Sequence, residues 1–128
     1  MALHNQLLLN GHITNAMANE DEVIDWMTNL VKEIDMKIIQ GPYASYVEKE
    51  GNRGITCTVM IETSHIAVHI WDEEDPPLIQ FDLYTCSHLP EEKVIKNLKD
   101  NFGLLDYQYM VLERSAGFNV KASRLSVY

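Results

Sequence analysis

A serine, a histidine and a cysteine stand where they could build a reactive carbonyl from the chain itself. Residues 62–71 contain Ser64 with two histidines, His65 and His69, in otherwise apolar and β-branched surroundings, and Cys86 follows on the next such run. A serine on a strained turn can attack the carbonyl that precedes it, and a nearby histidine and thiol can then move protons. The pattern predicts chemistry that needs no bound cofactor.

The spacing of Ser64 and His69 sets a condition on this chemistry. Five residues are an odd number of steps, so the two side chains would point to opposite faces of a regular strand. A kink at Thr63-Ser64 would remove that objection. His65, His69 and Trp71 share one strand face, and the intervening apolar residues share the other.

A metal site is the competing interpretation of these residues. His65, His69 and Cys86 carry ligand types that zinc accepts. Histidines four residues apart on a strand are separated by about 13 Å, however, whereas zinc bonds are near 2 Å. We therefore predict no metal, and we assign His65 a structural role.

Length and composition indicate one globular domain over residues 1–128, with 46% hydrophobic and 23% charged residues. The formal net charge of -9 disfavours nucleic acid and anionic membranes and favours small cationic ligands. The sequence contains neither an apolar run of membrane-spanning length nor a basic signal segment, so the expected location is cytoplasmic. Cys57 and Cys86 lie in strand-like runs and are expected to be reduced.

Helical and strand-like periods alternate along the chain. Apolar spacing predicts helices over residues 19–36, with Asn19 at the start, and 90–102, with Gly103 at the end. The predicted strands are 5–9, 37–47, 55–62, 65–71, 78–85 and 106–113. The acidic residues 72–75 are expected to form a solvated loop.

This order of elements predicts an α+β fold, a two-layer sandwich in which both helices cover one face of an antiparallel sheet. The other face then needs a cover. A second copy of the chain would supply it, so we expect a symmetric homodimer packed sheet to sheet in four layers, α/β/β/α.

Three segments with joint spacing carry a family resemblance. They are Thr63-Ser64-His65, the run from His69 through Trp71 to Glu73, and Tyr84-Thr85-Cys86-Ser87, with Gly54-Ile55-Thr56 upstream. The chain resembles the small prokaryotic S-adenosylmethionine decarboxylases, which carry Glu-Ser-His, a second histidine followed by x-Trp-Pro-Glu, Phe-Thr-Cys-Gly and an upstream Gly-x-Ser. The resemblance extends from about residue 20 to residue 112.

The resemblance implies a self-made pyruvoyl group. The Ser64 hydroxyl would attack the Thr63 carbonyl, His69 would help to remove the Ser64 α-proton, and the chain would part between Thr63 and Ser64. Thr56 would hold the oxyanion, and Cys86 would return a proton to the substrate. The pyruvoyl ketone would form a Schiff base with the substrate amine, as pyridoxal phosphate does elsewhere. The implied function is decarboxylation of S-adenosylmethionine in spermidine and polyamine biosynthesis.

The implied substrate-binding residues are Tyr43, Tyr46, Glu62 and Trp71. Either tyrosine would stack on adenine or meet the sulfonium through a cation–π contact. Both tyrosines also suit the core or a dimer contact. Thr63 stands where the family has glutamate, which lies one position earlier here as Glu62.

Two alternatives remain open from the sequence. One is an unprocessed, catalytically silent family member that binds a ligand or regulates an active subunit. The other is a decarboxylase of another amino acid, such as arginine or ornithine, because the chemistry needs only an α-amino acid. Recognition of the substrate side chain decides between substrates.

Overall fold

Seven strands and two helices make up residues 3–125, the part of the chain that the computed structural model describes. In chain order they are β1 Asn5–Ile13, α1 Glu20–Glu33, β2 Ile38–Val47, β3 Gly54–Ile61, β4 Ser64–Trp71, β5 Leu78–Thr85, α2 Glu91–Phe102, β6 Leu104–Glu113 and β7 Asn119–Arg124. All strands pair antiparallel in one sheet, in the order β2-β3-β4-β5-β1-β6-β7.

Strand alternation assigns one sheet face to the core. Leu7 and Leu9 of β1, Ile66 and Val68 of β4, and Phe81 of β5 are each at most 3% exposed and belong to one hydrophobic cluster that also contains the apolar residues of both helices. Successive strand side chains point to opposite faces, so this cluster fixes the face that the helices cover. The predicted α+β sandwich with both helices on one face is confirmed.

Local signals explain where the helices begin and end. The Asn19 side chain accepts a hydrogen bond from the Glu22 N–H at the start of α1, as expected for an N-cap. Helix α2 ends at Gly103, whose φ of 67° suits glycine at a left-handed cap. The helices are joined by the buried Trp26 Nε1, which donates to Asn97 Oδ1 at 2.8 Å. Neither helix in residues 3–125 is long and apolar enough to span a membrane.

The sheet face opposite the helices, which we call the open face, is partly exposed. Leu8 is 40% exposed, Met60 is 49% exposed and Tyr43 is 64% exposed. The strand register also lines up polar residues across five neighbouring strands of this face. They are Thr56, His69, Gln80, Asn10 and Gln108, each paired with the next.

The structure differs from the predicted elements at both ends of the chain. Strand β1 continues to Ile13 instead of ending at residue 9, because Gly11 lets β1 and β6 approach closely; a Cβ there would lie 2.4 Å from the Asp106 carbonyl oxygen. Strand β7 was not predicted. Its sequence, Asn-Val-Lys-Ala-Ser-Arg, has the polar character of an edge strand and gives little alternation to detect.

Candidate active site

Ser64 opens strand β4 directly after a two-residue turn. Ile61 and Ser64 close the β3–β4 hairpin, so Glu62 and Thr63 form the turn itself. Ser64 has a φ of 140°, a region that residues with a Cβ rarely occupy. Such a conformation costs about 1–3 kcal/mol and persists only where the surrounding structure enforces it. The strained residue is therefore the one that the sequence singled out.

The Thr63 carbonyl, which precedes Ser64, is held by a backbone donor. Thr85 pairs with Ser64 across β4 and β5, and this places the next residue, Cys86, against the turn. The Cys86 N–H donates to the Thr63 carbonyl oxygen at 2.8 Å. The Cys86 thiol is free and half-buried. We call Thr63, Ser64 and Cys86 the turn group.

A second group of predicted residues lies on the open face. Thr56 Oγ1 and His69 Nδ1 are 3.0 Å apart, because the two residues face each other across β3 and β4. The His69 ring also stacks on Trp71, with centroids 5.8 Å apart and planes inclined by 26°. Both Thr56 and His69 are half-buried. We call Thr56, His69 and Trp71 the strand group.

One chain does not bring the two groups together. Ser64 and His69 are five residues apart on a continuous strand, which corresponds to about 16 Å at the usual rise. A general base has to lie about 3 Å from the proton that it removes. Thr56 is opposite His69 and is equally remote, so in a single chain the Cys86 N–H, and not the Thr56 hydroxyl, contacts the Thr63 carbonyl.

The two predicted tyrosines lie on opposite sides of β2. Tyr43 is 64% exposed, whereas Tyr46 packs partly against the core. The Tyr46 hydroxyl donates to Asp72 Oδ2 at 2.7 Å, and this hydrogen bond is the main reason that the pKa of Tyr46 is raised. Only Tyr43 shares the sheet side of the open face. Glu62 is exposed in the turn beside Thr63.

The acidic segment that we expected to be solvated is partly ordered by hydrogen bonds. Asp72 accepts from Tyr46 and forms a 2.9 Å ion pair with Arg53. Glu73 accepts from the backbone N–H groups of Gly51 and Arg53, which lowers its pKa. The segment therefore closes the end of the β2–β3 hairpin, near Trp71 of the strand group.

The open face also contains a depression that the sequence did not reveal. It has a volume of about 470 Å³, and its lining includes Leu8, Asn10, His69, Gln80 and Met110. Gln80 Nε2 donates to Asn10 Oδ1 at 3.2 Å. These residues come from β1, β4, β5 and β6, so only knowledge of the strand order and register could have grouped them.

A polar network lies on the same sheet face, nearer the turn group. Gln6 Nε2 donates to Asp82 Oδ1 at 2.8 Å, and Arg114 Nη1 donates to Gln6 Oε1 at 2.9 Å. The Arg114 guanidinium lies 4.5 Å from the centroid of the Tyr84 ring. His65, to which we gave a structural role, has Nε2 at 3.6 Å from Asp82 Oδ2.

Comparisons with known proteins agree with the family resemblance. The family model described as S-adenosylmethionine decarboxylase matches residues 6–115. A protein of Clostridium botulinum (strain Langeland) named S-adenosylmethionine decarboxylase proenzyme is 29% identical over 86 residues, which are 66% of this chain and 69% of that protein. A protein of the same name from Archaeoglobus fulgidus is 29% identical over 87 residues, which are 67% and 76% of the two chains. The chain belongs to the S-adenosylmethionine decarboxylase family.

Proposed function

We propose that this protein is a pyruvoyl-dependent decarboxylase of S-adenosylmethionine that acts in spermidine and polyamine biosynthesis after cleaving itself between Thr63 and Ser64. The family match and relatives named proenzymes support the activity and the precursor form. One observation of this chain carries the proposal. The strained Ser64 follows a carbonyl that already accepts a hydrogen bond from the Cys86 N–H at 2.8 Å.

The turn group suits the first step of self-cleavage. The Ser64 oxygen forms a bond to the Thr63 carbonyl carbon, the C–N bond between Thr63 and Ser64 breaks, and the hydroxyl proton passes to the Ser64 nitrogen. The product is an ester. Negative charge develops on the Thr63 oxygen on the way, and the fixed Cys86 N–H stabilises it. Breaking the peptide bond also releases the strain at Ser64.

The second step needs a base. Removal of the Ser64 α-proton breaks the bond between Cβ and the ester oxygen, and Thr63 leaves as a free carboxylate. The dehydrated Ser64 residue then takes up water and loses ammonia, which leaves a pyruvoyl group at the new N-terminus. We assign the proton removal to His69, whose Nδ1 is held by Thr56 at 3.0 Å.

A homodimer would reconcile this role with the distance inside one chain. His69 and Thr56 lie on the open face, which also exposes Leu8, Tyr43 and Met60. Packing of two open faces buries these apolar side chains. In the dimer that we propose, the strand group of one copy would lie against the turn group of the other. We therefore propose that each site is shared between two copies of the chain.

In the mature enzyme the reacting groups would lie at and next to residue 64. The pyruvoyl ketone supplies the electron sink that loss of CO2 requires. The Cys86 backbone N–H contacts the Thr63 carbonyl oxygen, so Cys86, whose thiol is free and half-buried, is adjacent to the bond that is cleaved. We assign it the return of a proton to the substrate α-carbon. Tyr43 is the predicted aromatic contact that is exposed on the open face, where it can meet a cationic substrate.

The cysteines also fit the cytoplasmic location that we propose. Both are free, and burial raises the pKa of the Cys57 thiol to about 12, which leaves it protonated and inert at neutral pH.

The test is release of labelled CO2 from carboxyl-labelled S-adenosylmethionine, arginine and ornithine by purified protein, with Ser64→Ala as the matched control. We expect CO2 from S-adenosylmethionine alone and none from Ser64→Ala. Release of CO2 from arginine or ornithine instead would overturn the assignment of S-adenosylmethionine as the substrate. Absence of release from all three by a folded protein would support the silent family member, and equal release by Ser64→Ala would exclude a pyruvoyl made from this serine.

A further inference from the structure

Asn5 is a buried polar residue at the start of β1, next to the turn group. The residue is 2% exposed, and it pairs with Thr85 of β5. The Asn5 Nδ2 group donates to the Ser87 carbonyl oxygen at 3.0 Å, and Lys121 Nζ lies 3.4 Å from Asn5 Oδ1. A buried amide is retained at such a place only when its hydrogen bonds are made.

Thr85 fixes the same short segment from the other side. It is 0% exposed, and its Oγ1 accepts from the Ser87 N–H at 3.2 Å and lies 2.9 Å from Ser87 Oγ. Asn5 and Thr85 therefore hold Ser87 through its carbonyl, its N–H and its hydroxyl. Cys86, which lies between Thr85 and Ser87, has little freedom to turn its own N–H away from the Thr63 carbonyl.

We propose that Asn5 is a positioning residue for self-cleavage. Through Ser87 it holds the Cys86 N–H on the Thr63 carbonyl oxygen while the Ser64 oxygen attacks the carbonyl carbon. The inference rests on the proposed function, because it concerns formation of the ester between Thr63 and Ser64. Asn5 itself contacts none of the reacting atoms. It acts as an outer hydrogen-bonding partner of the segment that carries the donor. Removal of an oxyanion donor typically costs about 100- to 1,000-fold in rate, and loss of Asn5 would displace the Cys86 N–H without removing it, so we expect a smaller loss of about 10- to 100-fold.

The experiment measures ester formation apart from the later step. Freshly prepared precursor is incubated with hydroxylamine, which cleaves the ester and leaves serine at the new N-terminus, whereas complete processing leaves a pyruvoyl group. Mass spectrometry separates the two products. Asn5→Asp keeps the size of the side chain but removes the Nδ2 donor, and Thr85→Val removes the hydroxyl at nearly constant volume. Asn15→Ala is the matched control, because Asn15 Nδ2 donates to the Asn101 carbonyl at 2.9 Å in an exposed place.

We expect ester formation to slow by about 10- to 100-fold in Asn5→Asp and in Thr85→Val. Ester that does form should break down at the wild-type rate, a result that general loosening of the fold would not give. Asn15→Ala should match the wild type in both steps. If the wild type cleaves and Asn5→Asp forms ester at the wild-type rate, the positioning role of Asn5 is overturned, whatever the rate of Thr85→Val. If the wild type itself never cleaves, self-processing fails and this inference fails with it.

Discussion

Sharing of the site between two copies can be tested by mixing two inactive variants. Ser64→Ala has no serine to convert, and His69→Ala has no base, so neither should process alone. In a mixed dimer, however, the intact Ser64 of the His69→Ala copy would face the intact His69 of the Ser64→Ala copy. This arrangement predicts cleavage of one particular copy only.

The expected fraction of cleaved chains follows from the distance between Ser64 and His69 and from random pairing of the two variants. Within one chain, Ser64 and His69 are about 16 Å apart, so a site made by one chain would give no cleavage in the mixture. If equal amounts of the two copies pair at random in a two-fold dimer, about half of the His69→Ala copies face a Ser64→Ala copy. We therefore expect about half of the His69→Ala chains to be cleaved.

The assay is co-expression of the two variants with tags of different mass, followed by intact-mass analysis. A matched control replaces the Ser64→Ala copy by the double variant Ser64→Ala/His69→Ala, which offers no histidine to its partner and should give no cleavage. The reasoning is refuted if the wild type is processed while the mixture shows no cleaved His69→Ala chain. It also fails if His69→Ala is processed on its own, since His69 would then not be the base.

Two further predictions concern single side chains. Cys86→Ala should process normally, because its backbone N–H remains, but should decarboxylate at least about 100-fold more slowly, measured as CO2 release per cleaved chain; unchanged turnover would remove the thiol from the mechanism. Hydrogen bonds from the Ser115 hydroxyl, the His4 N–H and the Ser115 N–H lower the pKa of Glu113 to about 2. The pKa of Glu113 in the folded protein lies below its value of about 4.3 in the unfolded chain. The ionised Glu113 therefore stabilises the fold at pH values above about 4.3, and this stabilisation is lost as the pH falls toward 2. In urea titrations Glu113→Gln should thus be less stable than the wild type at pH 6, with the difference vanishing near pH 2, and a difference independent of pH would contradict this.

The sequence contains enough information for the sheet and helices because their signals are local. The apolar spacing after Asn19 and before Gly103 predicts both helices, and alternation predicts strands such as β4 and β5 nearly to their observed ends. Strand β7 is missed because an edge strand faces little of the core and needs few apolar residues. The extension of β1 past Leu9 is missed because it depends on a close approach of β6 at Gly11, which is a tertiary contact.

For the candidate site too, local features could be predicted from the sequence and contacts between strands could not. Ser64 and Cys86 could be singled out by residue type and by the family's motif spacing. The separation of five residues between Ser64 and His69 already indicated that their side chains point to opposite faces of the strand. Contacts set by strand register could not be foreseen, such as the Thr56–His69 hydrogen bond and the Cys86 N–H on the Thr63 carbonyl. These contacts depend on which residues lie opposite one another after folding, and no local pattern contains that information.

Self-cleavage at Thr63-Ser64 is the central claim, and the mass of the purified wild-type protein tests it most directly. We expect two fragments, residues 1–63 and residues 64–128, the second with a pyruvoyl group at its N-terminus, while Ser64→Ala remains a single chain of 14.7 kDa. A folded wild-type protein that remains one chain of 14.7 kDa after prolonged incubation would contradict the account.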